Sequence, residues 1–355
     1  MENTSNNPRD DGKNLSILPH ELQAECERLL SDMRTPGSSG MLRIRSFNSC
    51  IDEARTRPVP QTLFGKLWFE GELCILFADS NLGKSVLAIQ IGNSISTGTA
   101  IEPFEYEGSS QPVLYCDFEL TDKQLEARYA EDWKQHYRFE EHFYRADLNP
   151  DPDMELNQGD LESYLYNELE SAINEYNTRV LIIDNITYMR SETEQAKDAL
   201  PLMKQLKALK SKYNLSILAL AHTPKRDKSK PISSNDLQGS KMLMNFCDSS
   251  FAIGDSNAGG DTRYIKQIKQ RNTEQLYGAN NVVVFDLQKP HNFLHYAFRG
   301  YSNESDHLRT QDSDDRQQLA ADALELHQQG LSLRQIADKL GIHYSKVSRL
   351  IKAAL

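Results

Sequence analysis

The sequence predicts an α/β fold around a largely parallel sheet, followed by a small all-α unit, and three observations carry that prediction. From Gly65 to about Phe298, short β-branched or aromatic runs alternate with stretches of helical periodicity. One such run, Leu73-Cys74-Ile75-Leu76-Phe77-Ala78, leads straight into Asp79-Ser80-Asn81-Leu82-Gly83-Lys84-Ser85, with the spacing of a phosphate-binding loop between a strand and a helix. Beyond a Ser/Asp/Asn-rich stretch, residues 317–355 return to strong helical periodicity.

In chain order, Met1–Asn14 is polar, and Leu15–Met33 carries Leu and Ile at helical spacing with Pro19 placed to open a helix. Arg34–Gly40 reads as a linker, so residues 1–40 are expected to be an arm outside the core, and residues 41–299 the α/β domain. Its strands are expected at Leu73–Phe77, Val113–Phe118, Val180–Asp184, Leu215–Ala221, Ser249–Ile253, Tyr264–Gln270 and Asn281–Leu287. The last three, joined by turn-rich segments, read as antiparallel additions at one edge. Residues 300–316 solvate rather than pack and are expected to be a flexible tether to the helical domain at 317–355.

Composition bounds the function. With 39% apolar and 26% charged residues among 355, the chain is of ordinary globular type. The apolar runs Val180–Ile183 and Ile217–Ala221 fall far short of the roughly 18 residues of a membrane span, and Met1–Asn14 lacks a signal-peptide core. A cytoplasmic protein with no membrane part is expected. Cys26, Cys50, Cys74, Cys116 and Cys247 form no Cys-x-x-Cys pair, which signals neither a zinc site nor a disulfide framework. A net charge of −11 excludes a surface coated in nucleic acid, so any such contact is local.

The loop chemistry points to ATP and Mg²⁺. Backbone N–H groups from Ala78, Asp79, Ser80, Asn81, Leu82, Gly83, Lys84, Ser85 and Val86 would surround the phosphates, with Lys84 on the β/γ-phosphates and the Ser85 hydroxyl on the metal. Ala78 stands where G-x-x-x-x-G-K-[ST] has its first Gly; if that position needs positive φ, its Cβ costs about 1–2 kcal/mol, a tenfold loss of affinity. Asp184 ends an apolar strand, where a water-mediated Mg²⁺ ligand sits in a P-loop ATPase. Glu119, just past Val113–Phe118, is the candidate base for the water that attacks the γ-phosphate. Two alternatives stand beside it: Glu119 as a helix-start acid with Thr121 capping, and Asp117 as the base.

The order of phosphate loop, Glu119, Asp184, Leu218-Ala219-Leu220-Ala221-His222-Thr223-Pro224-Lys225 and Asp236-Leu237-Gln238-Gly239-Ser240 resembles the RecA-like ATPases. Within them it looks closest to the plasmid RepA hexameric helicases and the DnaB/KaiC branch, over roughly Gly65 to Phe298. The resemblance implies a RecA-like P-loop NTPase core in which His222 senses the γ-phosphate. It further implies that Lys225, Arg226, Lys228 and Lys230 lie on a pore loop that binds single-stranded DNA. Lys269 and Arg271 match the family's trans-acting basic finger, which reaches the nucleotide of a neighbouring subunit and implies self-association into a ring, with a hexamer expected.

The segment Gln329–Ile351 looks like a helix-turn-helix of the resolvase and sigma-factor type. Ser332 can cap the first helix, Ile336, Ala337 and Leu340 form its buried stripe, and Gly341 permits the turn. Val347, Leu350 and Ile351 bury the second helix, leaving Tyr344, Ser345, Lys346, Ser348 and Arg349 to face duplex DNA. Arg316–Leu355 holds six Lys/Arg against three Asp/Glu, a basic unit in an acidic chain. Three functions fit: a DNA-acting ring ATPase of the RepA helicase kind from a plasmid or mobile element, an ATP-dependent DNA-bound regulator or transposition or partition accessory protein that does not unwind, and a DNA-binding protein that holds nucleotide only structurally.

Overall fold

A computed structural model describes residues 43–149, 161–189, 199–224, 226–237, 240–309 and 314–354. The expected helix at Leu15–Met33, Lys225, Gln238 and Gly239 lie outside the described residues. Two compact units divide between Val59 and Pro60. The first contributes α1 (Phe47–Arg55), whose N-cap Ser46 accepts a hydrogen bond from Ser49 N. Residues 43–59 carry one helix and no strand of the sheet.

The second unit opens with a small hairpin, β1 (Thr62–Phe64) and β2 (Trp68–Phe69), followed by β3 (Leu73–Ala78) and α2 (Lys84–Thr97). Then come β4 (Val113–Asp117), α3 (Asp122–Tyr129), the short pair β5 (Ala130–Glu131) and β6 (Gln135–His136), β7 (Phe143–Ala146) and α4 (Leu161–Glu175). Next are β8 (Val180–Asp184), α5 (Ala199–Tyr213), β9 (Ser216–His222), α6 (Ser240–Phe246) and β10 (Ser249–Asp255). The core closes with β11 (Thr262–Lys269), β12 (Val282–Gln288), β13 (His295–Ser302) and a 3₁₀ turn at Glu304–His307. Three helices end the chain: α7 (Asp314–Gln328), α8 (Leu333–Leu340) and α9 (Tyr344–Ala354).

Nine strands form one sheet in the order β13-β12-β11-β10-β3-β9-β8-β4-β7. From β10 to β7 every pairing is parallel, and β11, β12 and β13 add antiparallel pairings. The strand at Ser249 therefore belongs to the parallel core, and the antiparallel edge is completed by β13, whose mixed aromatic and polar sequence gave no strand signal. Alternation along the strands builds two cores, as expected of a sheet covered on both faces. Leu76, Tyr115, Ile182 and Leu218 face the side of α2, while Ile75, Leu114, Ile183 and Ile217 face the opposite side, against α4 and α5. All are at most 2% exposed, and truncating one such Ile or Leu to Ala costs about 2–5 kcal/mol.

The expected tether does not begin at residue 300. Gly300–Ser302 complete β13, Glu304 is 1% exposed and ion-paired to Lys266, and His307 is buried. The polar composition that suggested a solvated linker instead supplies partners for buried groups of the core. At the far side, α7 already starts at Asp314. The C-terminal helices form a small core of their own from Ala323, Ile336, Ala337, Val347 and Ile351. Ser332 caps α8 in a capping box with Gln335, and Gly341 turns the chain at φ +61°. Among the described residues, no helix is long and apolar enough to cross a membrane.

Candidate nucleotide site and DNA-facing module

Parallel pairing brings the C-terminal ends of β3, β9, β8 and β4 to one edge of the sheet, where ligands bind in open α/β folds. Ala78 lies opposite His222 across β3 and β9, and Asp117 lies opposite Asp184 across β4 and β8. The phosphate loop spans Asp79–Gly83, with Asn81 at φ +63° and Gly83 at φ +86°. Gly83 is required there twice over, since a Cβ would also lie 2.9 Å from the Tyr296 hydroxyl. Ala78 is the last residue of β3 and is not at positive φ, so the cost expected for its Cβ does not arise.

The start of α2 has no side-chain cap. Its first N–H groups thus have the chemistry to take a phosphate, and Ser85 and Asp184 that to take a divalent cation. Lys84 is 7% exposed and folds back on its own loop, donating to Ala78 O at 3.0 Å and Asp79 O at 3.3 Å. Burial holds its ammonium below the usual lysine range, against the opposing pull of Asp184, Glu119 and Asp79. Asp184 is 1% exposed, and burial pushes its carboxyl up, while hydrogen bonds from the Ser85 and Tyr115 hydroxyls oppose that rise. The Tyr115 hydroxyl donates to Asp184 Oδ2 at 2.6 Å.

His222 joins the two halves of the site. Its Nδ1 is 3.2 Å from Lys84 Nζ and, since an ammonium can only donate, Nδ1 accepts there. Its Nε2 lies 3.2 Å from Glu119 Oε1 and 3.0 Å from Asn185 Nδ2. Asn185 Oδ1 accepts from Thr187 N at 2.9 Å, which aims its amide nitrogen at the same Glu119 oxygen. Lys84, His222, Asn185 and Glu119 form one connected chain, with Asp184 beside it.

Asp117 is committed elsewhere. Its Oδ1 accepts from the N–H groups of Glu119 and Leu120, and its Oδ2 pairs with Arg145 Nε at 3.0 Å. With both oxygens engaged it holds the 118–120 turn. Thr121 does cap α3, in a capping box with Gln124, as the helix-start alternative expected, while Glu119 Oε1 meets His222 and Asn185.

The other expected site residues fall in different places. Arg226 does not project outward: its side chain is 7% exposed and its Nε lies 3.5 Å from Asp79 Oδ2. Lys228 pairs with Asp255 at 2.9 Å, and Lys230 is exposed beside Asp227. Arg226 thus meets a carboxylate of the phosphate loop and Lys228 one at the end of β10, partners that their spacing alone could not reveal. Lys269 and Arg271 sit where β11 meets the start of β10, at the end of the sheet opposite Lys84. Lys269 Nζ donates to the carbonyls of Met244 and Cys247 around the end of α6, so its charge is spent on a helix C-terminus. Arg271 is half-exposed and pairs with Asp248 at 3.1 Å.

Sequence reasoning missed Tyr115, Asn185 and Thr223. Tyr115 lies opposite Ile182 and reaches diagonally to Asp184, a contact that exists only once register is known. Asn185 directly follows Asp184, and that adjacency was its one available signal.

In the C-terminal unit, His343, Tyr344, Ser345, Lys346 and Arg349 are exposed and Ser348 is half-buried, whereas Val347, Leu350 and Ile351 are buried. Arg349 Nε donates to Ser345 O at 3.2 Å. The outward face of α9 thus carries polar side chains at its start and cations along it.

A family model described as an AAA domain matches residues 43–228. A second, described as a homeodomain-like domain, matches residues 312–354. No curated protein matches the chain.

Proposed function

The chain belongs to the AAA-domain family, and from that membership and the geometry of its phosphate loop we propose that it is an ATP-hydrolysing protein that acts on DNA. One observation carries the reading: Lys84, His222, Asn185 and Glu119 form a single hydrogen-bonded chain at the mouth of an uncapped, glycine-turned helix start, with Asp184 and Ser85 alongside. Lys84 exchanges its loop carbonyls for the β- and γ-phosphate oxygens. Ser85 and Asp184 are the residues that would hold Mg²⁺, which would supply charge neutralisation at the phosphates. Asn185 and His222 both grip Glu119 Oε1, which leaves Oε2 to take the proton of the attacking water. Because Lys84 donates to His222, its departure to the phosphates changes what the imidazole bonds, and His222 in turn positions Glu119.

The finer reading is a ring of the RepA-like helicase kind, with a hexamer as the expected ring and a plasmid or mobile element as its expected setting. In such a ring Arg271 from one copy reaches the nucleotide of the next, an effect worth about 10³–10⁵ in rate for arginine fingers. Lys269, engaged on α6, supports this from behind. The outward face of α9 recruits the protein to duplex DNA.

A second reading, an ATP-dependent switch on DNA without strand separation, is favoured by one specific observation. Arg226 and Lys228, expected to line a pore, turn inward to Asp79 and Asp255. Phosphate release with and without single-stranded DNA, compared between wild type and Lys84→Ala, tests the shared core. Equal release by both proteins overturns it, and strand displacement of a forked duplex separates motor from switch.

A further inference from the structure

The loop that follows His222 touches both the phosphate loop and the root of the DNA-binding module. On the nucleotide side, Asp79 accepts from the Thr223 hydroxyl and faces the buried Arg226. On the module side, Lys228 O accepts from Arg309 N at 3.2 Å. Asp255 gathers Lys228 at 2.9 Å, Arg263 at 3.2 Å and Arg309 at 4.0 Å. Ile232 is gripped at both backbone groups: its N–H donates to Glu304 Oε1 at 2.7 Å and its carbonyl accepts from Lys266 Nζ at 2.6 Å. The buried pair Lys266–Glu304, at 2.5 Å, locks that grip, and Asn257 holds Leu308 O at 2.8 Å.

We propose that residues 226–232 form a nucleotide-responsive clasp on residues 304–309, through which the state of the phosphate loop is transmitted to the DNA-binding helices. This rests on the reading of the loop as an ATP site. Electrostatics supply the input. Four cations, Arg226, Lys228, Arg263 and Arg309, share two carboxylates, Asp79 and Asp255, so the cluster holds an excess of positive charge beside the phosphate loop. An arriving triphosphate repels Asp79 and attracts Arg226, competing directly with the pair that fixes the loop. Geometry supplies the output. Only residues 310–313 separate Arg309 from the start of α7, a reach of at most about 18 Å when fully extended. A shift of the clasp therefore changes where the module can go, and by linkage DNA on the module changes nucleotide affinity by the same factor.

The test uses the full chain with Mg²⁺ and a non-hydrolysable ATP analogue, reading binding by calorimetry and amide hydrogen exchange of the 226–232 and 300–309 segments by mass spectrometry. The expected result is binding heat together with a change of about fivefold or more in exchange at both segments. Arg226→Gln, which removes a cation the triphosphate attracts, is expected to give binding heat with altered affinity and to lose the response at 300–309. Asn257→Ala, a milder cut on the module side, is expected to keep the response at 226–232 and diminish that at 300–309. Heat without any change at 300–309 in wild type overturns the clasp and leaves the ATP site standing, as does an Arg226→Gln response equal to that of wild type. No heat at all overturns the ATP site and the clasp with it.

Discussion

Lys84 Nζ lies 3.2 Å from His222 Nδ1, so the cation of the phosphate loop and the imidazole at the end of β9 share a hydrogen bond. The opposite edge of that ring meets Glu119, so in the proposed mechanism His222 acts by positioning Glu119. Glu119→Gln is expected to keep nucleotide binding and reduce phosphate release by about 10²–10⁴. His222→Gln, whose amide can still donate to Glu119, is expected to lose less than His222→Ala. Single-turnover phosphate release beside calorimetric binding distinguishes these outcomes, and equal losses for Gln and Ala would remove the positioning role.

Ala78→Gly separates the motif from the structure. Were the position one that needs a glycine, the substitution would raise nucleotide affinity about tenfold. Since Ala78 closes a buried strand, affinity is instead expected to stay within about twofold, with stability falling by about 0.5–1 kcal/mol from added chain entropy. Calorimetry and urea unfolding of the pair read both numbers.

Tyr115→Phe removes one hydroxyl and leaves Asp184 Oδ2 without its 2.6 Å donor in a buried position. An orphaned buried acceptor costs about 1–3 kcal/mol. Phosphate release is expected to need more Mg²⁺ for half-maximal rate, while the rate at saturating Mg²⁺ stays near wild type. An unchanged Mg²⁺ requirement would mean that Tyr115 serves packing alone.

How far the sequence reaches can be seen residue by residue. Strand periodicity and the loop spacing located β3, β4, β8 and β9, because strands buried on both faces read as unbroken apolar runs. Glu119 and Asp184 lie at or just past strand ends, Lys84 and Ser85 open the helix after the loop, and His222 is reached through the family resemblance; parallel pairing brings these positions together. The edge strand β13 was not legible, because its mixed pattern answers to α2 and β12 rather than to an alternating solvent face. Nor were the partners of Arg226, Lys228 and Lys269, for a cation's sequence neighbours do not say which carboxylate or helix end it will meet. Gly300–Arg309 misled for the same reason: Glu304 reads as solvated until Lys266, 38 residues earlier, closes on it.

Asp248 provides a pH test remote from the nucleotide. Burial pushes its carboxyl up, but the Leu73 N–H and Lys210 outweigh burial and hold it below its ordinary value of 3.8. A depressed carboxyl stabilises the fold above its unfolded pKa, and that contribution is lost as pH falls through the folded value. Lys210→Met is therefore expected to destabilise by about 1.5–3 kcal/mol at neutral pH. The gap between variant and wild type should close progressively below pH 3.8. Urea unfolding across that range checks it; a gap that persists unchanged at low pH would assign the loss to Lys210's other bond, to Gly71 O.

The outward face of α9 makes a quantitative claim about salt. Each cation that neutralises a phosphate contributes about one unit to the slope of log affinity against log salt. Lys346 and Arg349 are both exposed, and Arg349 Nε donates to Ser345 O at 3.2 Å one turn back along the helix. Lys346→Ala and Arg349→Ala are each expected to lower the slope by about one on a mixed-sequence labelled duplex read by fluorescence anisotropy. Lys84→Ala, far in function from this face, is expected to leave the nucleotide-free slope alone. Since neither α9 cation packs in the small core of Ala323, Ile336, Ala337, Val347 and Ile351, helix content should be unchanged in both variants. Slopes equal to wild type would mean that this face meets another protein rather than DNA.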